Sequence, residues 1–273
     1  MRIEDDLSRR KLLKLGLATA TLVVVDAVMP SSLLANAPMP NPAVEQNPAT
    51  YHLPENWITY QGPQVVWHGN KNKPKVFLTM DDGWDPSNME KALKIANNHG
   101  IKMTFCPVGK LIARDKGMYK EIISEGHDVQ NHTYTHARLD NKKKWRIKKE
   151  ILEARDALWN AAEFEYPQGF IRPPGEYGVT GISIYKPLFY AARELGYKVL
   201  VWDNSSGGTS FGAYSHTPKQ VARVQRNIES NMHNGSITLQ LAINVDVAAF
   251  PHIVSFVVRN GWKPVTIREG LGS

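Results

Sequence analysis

The chain has 273 residues, 42% of them apolar and 22% charged, and a net charge of +7. This balance suits one packed domain preceded by a leader and excludes a disordered or collagen-like chain. A single cysteine, Cys106, excludes an internal disulfide.

Ser8-Arg9-Arg10-Lys11-Leu12-Leu13-Lys14 precedes an apolar stretch from Leu15 to Val28, and Ala35-Asn36-Ala37 offers a small-x-small cleavage pattern. Together they predict an export signal over 1–37. The paired arginines point to the twin-arginine route and a periplasmic or extracellular destination. Asp26 interrupts the apolar stretch, which argues against a membrane span in the mature chain. Pro38, just after the proposed cut, is unfavourable for processing. Pro38, Pro40, Pro42, Pro48 and Pro54 mark residues 38–72 as an extended, Pro-rich segment, and the packed domain is placed at 73–273. An exported chain argues against nucleic acid as a partner. The basic run Lys142 to Lys149 reads as the solvated face of a helix, and the expected oligomeric state is a monomer.

From Lys73 onward strands and helices alternate. Strands are predicted at 76–80, 103–108, 127–131, 169–172, 197–202, 236–242 and 264–267. Helices are predicted at 87–98 behind Asp85 or Ser87 as cap, and at 118–125, 143–162, 185–195, 218–231 and 250–260. Gly196 and Gly261 are placed as helix-ending glycines. Regular alternation implies α/β architecture with a parallel sheet, and in a barrel of that kind the site gathers at the carboxyl ends of the strands. Asp81, Asp82, His132, Arg172 and Trp202 all fall at such ends. Cys106, in an apolar run and followed by Pro107, reads as a buried core thiol.

The most informative segment is Thr79-Met80-Asp81-Asp82-Gly83-Trp84, followed fifty residues later by Asn131-His132-Thr133-Tyr134-Thr135-His136. Neighbouring side chains on a strand point to opposite faces, so the two aspartates do different jobs. One can face a metal while the other takes a proton. His132 and His136, four apart, share one side of a helical turn or tight loop. A carboxylate and two imidazoles suit zinc or a similar divalent ion with a position left open.

These two segments resemble the first two motifs of the polysaccharide deacetylases, the NodB-homology carbohydrate esterases. Ile171 to Gly178 (IRPPGEYG) resembles the third motif, Val199 to Asn204 partly resembles the fourth, and Gly261 to Gly272 resembles the closing strand and turn. The resemblance implies a distorted (β/α) barrel of about seven parallel strands, TIM-barrel-like, that holds one divalent ion, Zn2+ by preference, and acts on an acetylated glycan. It implies Asp82, His132 and His136 as metal ligands, Asp81 as general base, Arg172 as the cation that keeps Asp81 ionised, and the Gly175 N–H as oxyanion donor. Most relatives carry a larger residue at 175, so the groove is expected to be more open here. Trp202 is placed either as a wall for the acetyl methyl or as a core residue.

One departure stands out. The family's last motif ends a strand with a histidine that serves as general acid. Here Leu241 stands at that place, or Gln240 if the register slips by one, and neither can donate a proton at neutral pH. The acidic partner of that histidine is also absent, with Gly208 and Thr209 in its region, so a histidine installed at 241 is expected to lack its carboxylate. His216 is a candidate replacement acid or a surface histidine. Three readings follow: a metal-dependent hydrolase of N- or O-acetyl groups, a weak or inactive glycan-binding member, or an amidase on a non-sugar substrate.

Overall fold

The computed structural model describes residues 54–214 and 216–272; the predicted signal, its cleavage site and residues 38–53 of the Pro-rich segment lie outside them. Two short strands come first, β1 (Trp57–Thr59) and β2 (Val65–Val66), then β3 (Lys75–Val76) and β4 (Thr79–Asp82). Helix α1 (Pro86–Asn98) starts behind Asp85, whose side chain accepts from the Ser87 N–H, with proline in the first turn where no N–H is needed. Next come β5 (Thr104–Pro107), α2 (Gly109–Arg114), α3 (Lys116–Ser124), β6 (Asp128–Val129), α4 (Lys144–Ala162) and β7 (Phe170–Ile171). A hairpin of β8 (Val179–Thr180) and β9 (Ser183–Tyr185) precedes α5 (Lys186–Glu194), β10 (Lys198–Leu200) and β11 (Asn204–Ser205). The chain ends with α6 (Pro218–Ser230), β12 (Thr238–Leu241), α7 (Asn244–Arg259), β13 (Lys263–Pro264) and α8 (Ile267–Leu271).

The main ladder has the order β11-β12-β4-β5-β6, all parallel. A bridge between Asn131 and Ile171 carries it on to β7, which pairs in parallel with β10. Residues 198–205 thus meet β7 through β10 and β12 through β11. This is the expected distorted (β/α) barrel, with ladder gaps where strands shorten to two residues. Side chains alternate across it. Val76, Leu78 and Met80 pack outward with Met89, Leu93, Phe250 and Val254 of α1 and α7. Phe77 and Cys106 join a second cluster with Ile171, Val199 and Ile237. Burial raises the Cys106 thiol well above its ordinary range, in keeping with an inert core residue. Gly109 is required by a close approach, since a Cβ there would fall 2.7 Å from the Ala154 backbone of α4.

Several boundaries differ from expectation. β1 and β2 lie in the predicted extension yet pair with β9 and β10, so part of residues 38–72 belongs to the packed unit. α7 begins at Asn244 rather than 250: Ile243 offers no side-chain cap to mark the start, and Pro251 sits inside the helix. The predicted strand at 264–267 splits into β13 and α8, the latter capped by Thr266 accepting from the Glu269 N–H at 3.1 Å. The Thr-x-x-Glu signature was present in the sequence. The basic run of α4 is a solvated face whose Lys144 and Lys148 pair with Glu194. Among the described residues no helix is long and apolar enough to cross a membrane.

Candidate metal centre and active site

Asp81 and Asp82 end β4, and the register with β5 and β12 holds them at the carboxyl edge of the sheet. Asp82 turns out of the strand with φ +78, a left-handed conformation that costs a non-glycine residue on the order of 1 kcal/mol or more. His132 and His136 follow β6 in a loop rather than a helix, with Thr133 and His136 also at positive φ. Three contacts from Glu150 of α4 hold that loop. Its carboxylate accepts from the Tyr134 N–H at 3.1 Å, the Thr135 N–H at 2.8 Å and the Thr135 hydroxyl at 2.8 Å. Asn131 adds a fourth, accepting from the Thr133 N–H at 3.0 Å.

The result is a convergent triad. Asp82 Oδ1 lies 3.4 Å from His132 Nε2 and 3.1 Å from His136 Nε2. One ligand atom from each residue falls within 4.8 Å of the others. His132 Nδ1 lies 2.8 Å from the Arg172 carbonyl, which makes Nδ1 the protonated nitrogen and leaves the Nε2 lone pair facing Asp82. Asp82 Oδ1 is out of reach of solvent and takes no well-directed hydrogen bond among the described residues. Burial raises the Asp82 carboxyl, but both imidazoles outweigh it and hold the group well below the ordinary carboxylate range. Burial lowers His132, and Asp81 and Asp82 more than reverse that. An anionic oxygen facing two imidazole nitrogens suits a divalent cation.

Asp81 faces the other way. Its Oδ1 accepts from Arg172 Nη1 at 2.8 Å, and Arg172 is fully buried. The guanidinium also donates to the Thr79 hydroxyl and to the Val201 carbonyl, the latter at 3.3 Å, and lies 5.8 Å from the Trp202 ring centre. Burial opposes the charge on Arg172, but Asp81 raises its pKa further. Trp202 is buried in the second core cluster, which supports the core reading. Gly175 follows three residues after Arg172 with φ +53, and Glu176 takes φ +63 beside it.

Leu241 pairs in register with Asp81, and Gln240 with Met80. Paired residues in parallel strands share a face, so Leu241 lies on the Asp81 side and Gln240 on the helix side. His216 lies in a groove lined by Asn88, Lys91, Asn244 and Val247, outside the barrel between α1 and α7, and is not brought to the triad.

Sequence reading missed Glu150 and Asp246. Asp246, in the first turn of α7, is fully buried. Its Oδ2 accepts from the Leu241 N–H at 2.7 Å and the Ser206 hydroxyl at 2.8 Å, while Oδ1 has no partner among the described residues. A Cβ on Gly208 would fall 2.0 Å from that Oδ1. Burial pushes the carboxyl up to about 7 despite those two donors. Burial also raises Glu176 to about 7.

The polysaccharide deacetylase family model matches residues 68–200, which include both acidic residues, both histidines and Arg172. Over these residues the chain matches the polysaccharide deacetylase family. It is 24% identical over 214 residues to a peptidoglycan-N-acetylglucosamine deacetylase of Bacillus cereus, covering 75% of this chain and 92% of that one. It is 31% identical over 130 residues to a chitooligosaccharide deacetylase of Rhizobium leguminosarum, covering 46% of this chain and 56% of that one. Among solved structures, the fold superposes with a TM-score of 0.67 on a CE4-family pseudoenzyme from Bacillus anthracis, at 19% identity over 77% of this chain and 70% of that one. It superposes with a TM-score of 0.66 on a peptidoglycan N-acetylglucosamine deacetylase, Bc1960, at 24% identity over 76% and 92%.

Proposed function

We propose that this member of the polysaccharide deacetylase family is an exported, metal-dependent hydrolase that removes acetyl groups from an envelope glycan. The observation that carries the reading is the complete triad of Asp82, His132 and His136 beside an Asp81 held by Arg172. A bound divalent ion, zinc by preference, would supply Lewis acidity and a water acidic enough to deprotonate near neutral pH. Asp81 takes the proton of the attacking water, and Arg172, donating to its Oδ1 at 2.8 Å, holds it in place. The Gly175 N–H, three residues after Arg172, is the proposed donor to the developing oxyanion. The named activities of the bacterial relatives support an N-acetylglucosamine polymer as substrate.

A second reading is favoured by one observation. Leu241 occupies the Asp81 face where the family's proton donor is expected, and a solved structural neighbour is a pseudoenzyme. A weak or inactive glycan-binding member is therefore the alternative. Wild type is expected to bind about one equivalent of zinc and His132→Ala to lose it, with acetate release from N-acetylglucosamine oligomers following the metal. Equal metal content in both proteins would overturn the ligand assignment. Zinc bound without acetate release from N- or O-acetyl substrates would favour the binding reading.

Export by the twin-arginine route to the periplasm or beyond rests on Arg9, Arg10 and the apolar stretch after them. Replacing both arginines with lysine is expected to leave the precursor in the cytoplasm. Fractionation that finds the variant exported as fully as wild type would contradict that.

A further inference from the structure

The triad lies at the carboxyl ends of four neighbouring strands, and each following segment places an aromatic or basic residue nearby. Trp84 follows β4, Lys110 follows β5, Arg138 follows β6 and Tyr177 follows β7. They form two cation–aromatic pairs. Lys110 Nζ lies 4.6 Å from the Trp84 ring centre, and the Arg138 guanidinium 4.3 Å from that of Tyr177.

The two pairs differ in charge balance. Arg138 is neutralised by a two-pronged pairing with Asp140 at 2.7 and 2.8 Å. Lys110 makes no ion pair among the described residues, and its side chain is exposed. Its backbone is not free to wander. The N–H groups of Gly109 and Lys110 donate to the carbonyls of Thr133 and Tyr134 at 2.8 and 2.9 Å, fastening α2 to the histidine loop. Trp84 lies beside one of the candidate metal ligands. Its indole meets the His136 ring edge-on at 6.0 Å and remains 44% exposed, outside both core clusters. A large indole left in water beside metal ligands, with a fixed and unpaired cation above it, is poorly explained by stability. Exposed cation–π pairs contribute little to stability.

We propose that Trp84 and Lys110 form a subsite for the sugar next to the one being deacetylated, and that the subsite selects anionic glycans. The indole stacks on the apolar C–H face of a pyranose, and the lysine ammonium meets a carboxylate or phosphate substituent on that sugar. The inference rests on the glycan reading above and names the substrate's charge.

The test is calorimetric binding, measured beside acetate release, on zinc-loaded full-length wild type, Trp84→Ala, Trp84→Phe and Lys110→Gln. Three probes are used: a neutral N-acetylglucosamine tetramer, an oligomer alternating with a carboxylated sugar, and a phosphorylated tetramer. Wild type is expected to bind one of the anionic oligomers several-fold more tightly than the neutral one, with the preference fading as salt rises. The oligomer preferred identifies the anionic group. Trp84→Ala is expected to weaken all binding roughly tenfold, and Trp84→Phe to retain most of it. Lys110→Gln is expected to erase the anionic-over-neutral ratio. Trp84-dependent, charge-selective binding without acetate release would uphold the subsite and overturn the hydrolase reading. Acetate release that is indifferent to charge and to both side chains would overturn the subsite alone.

Discussion

Arg172→Met is expected to lower folding stability by ~3–5 kcal/mol and to abolish deacetylation in whatever protein still folds. The large value follows from what the side chain leaves behind. Arg172 and Asp81 are both buried, at 0% and 2% exposure, and Asp81 receives its 2.8 Å hydrogen bond from the guanidinium. Removing the cation strands a carboxylate in the barrel, and also strips partners from the Thr79 hydroxyl and the Val201 carbonyl. An unpaired charge in that setting costs more than the pair gains, so the second substitution Asp81→Asn is expected to recover part of the loss. Arg172→Lys should fall between the two, since one ammonium cannot copy a planar fork that reaches Asp81 and Val201 together. Urea denaturation of the four proteins measures this. The imidazole of His132 is oriented by the Arg172 backbone carbonyl, not by its side chain, so folded Arg172→Met should still bind zinc. Wild-type stability in Arg172→Met, or no recovery on adding Asp81→Asn, would remove the buried pair from the account.

The parts of this architecture that were legible in the sequence are those whose physics is local. The run from Val76 to Met80 announced a strand, the spacing of α4 announced a helix, and Thr79 to Trp84 with Asn131 to His136 announced the candidate ligands. Their convergence depends on groups with no sequence signature. Glu150 is an ordinary helical glutamate until α4 packs beneath the histidine loop and three donors meet its carboxylate. Asp246 was hidden for a related reason. The helix was expected from 250, so Asp246 fell outside it, and the true start at Asn244 has no capping side chain to mark it. The register question was also beyond sequence. A slip of one residue exchanges the faces of Gln240 and Leu241, and only the pairing of Leu241 with Asp81 settles it.

That pairing changes what Leu241→His is expected to do. A positioned general acid is worth 10²–10⁴-fold, and the sequence suggested that an imidazole at 241 would stand without an acidic partner. A carboxyl is in fact present. Asp246 holds the Leu241 N–H at 2.7 Å, and its second oxygen is buried without a partner, filling the space above Gly208. Leu241→His is therefore expected to raise kcat/KM on N-acetyl substrates at least tenfold, and on O-acetyl esters less, because an amine must be protonated as it leaves. Adding Asp246→Asn should remove most of that gain. Gln240→His should give none, since position 240 shares the helix-facing side with Met80. The pH dependence separates a chemical role for Asp246 from a purely structural one. Burial raises its pKa to about 7 in the folded protein, so the native state keeps a proton that the unfolded chain releases near pH 4. Stability then falls as pH rises from about 4 to about 7, by up to on the order of 4 kcal/mol, and Asp246→Asn alone should flatten that slope. In Leu241→His an imidazolium beside the carboxylate would favour both charges, and N-deacetylation should decline only as pH passes the new imidazole's pKa. Rapid amide hydrolysis by wild type that disappears in Glu176→Gln would instead place the acid on the loop after Arg172, where Glu176 is half-buried and raised to about 7. If Leu241→His binds zinc, folds and gains nothing, proton donation at this corner of the barrel does not limit the reaction, and the cost of the missing histidine lies elsewhere.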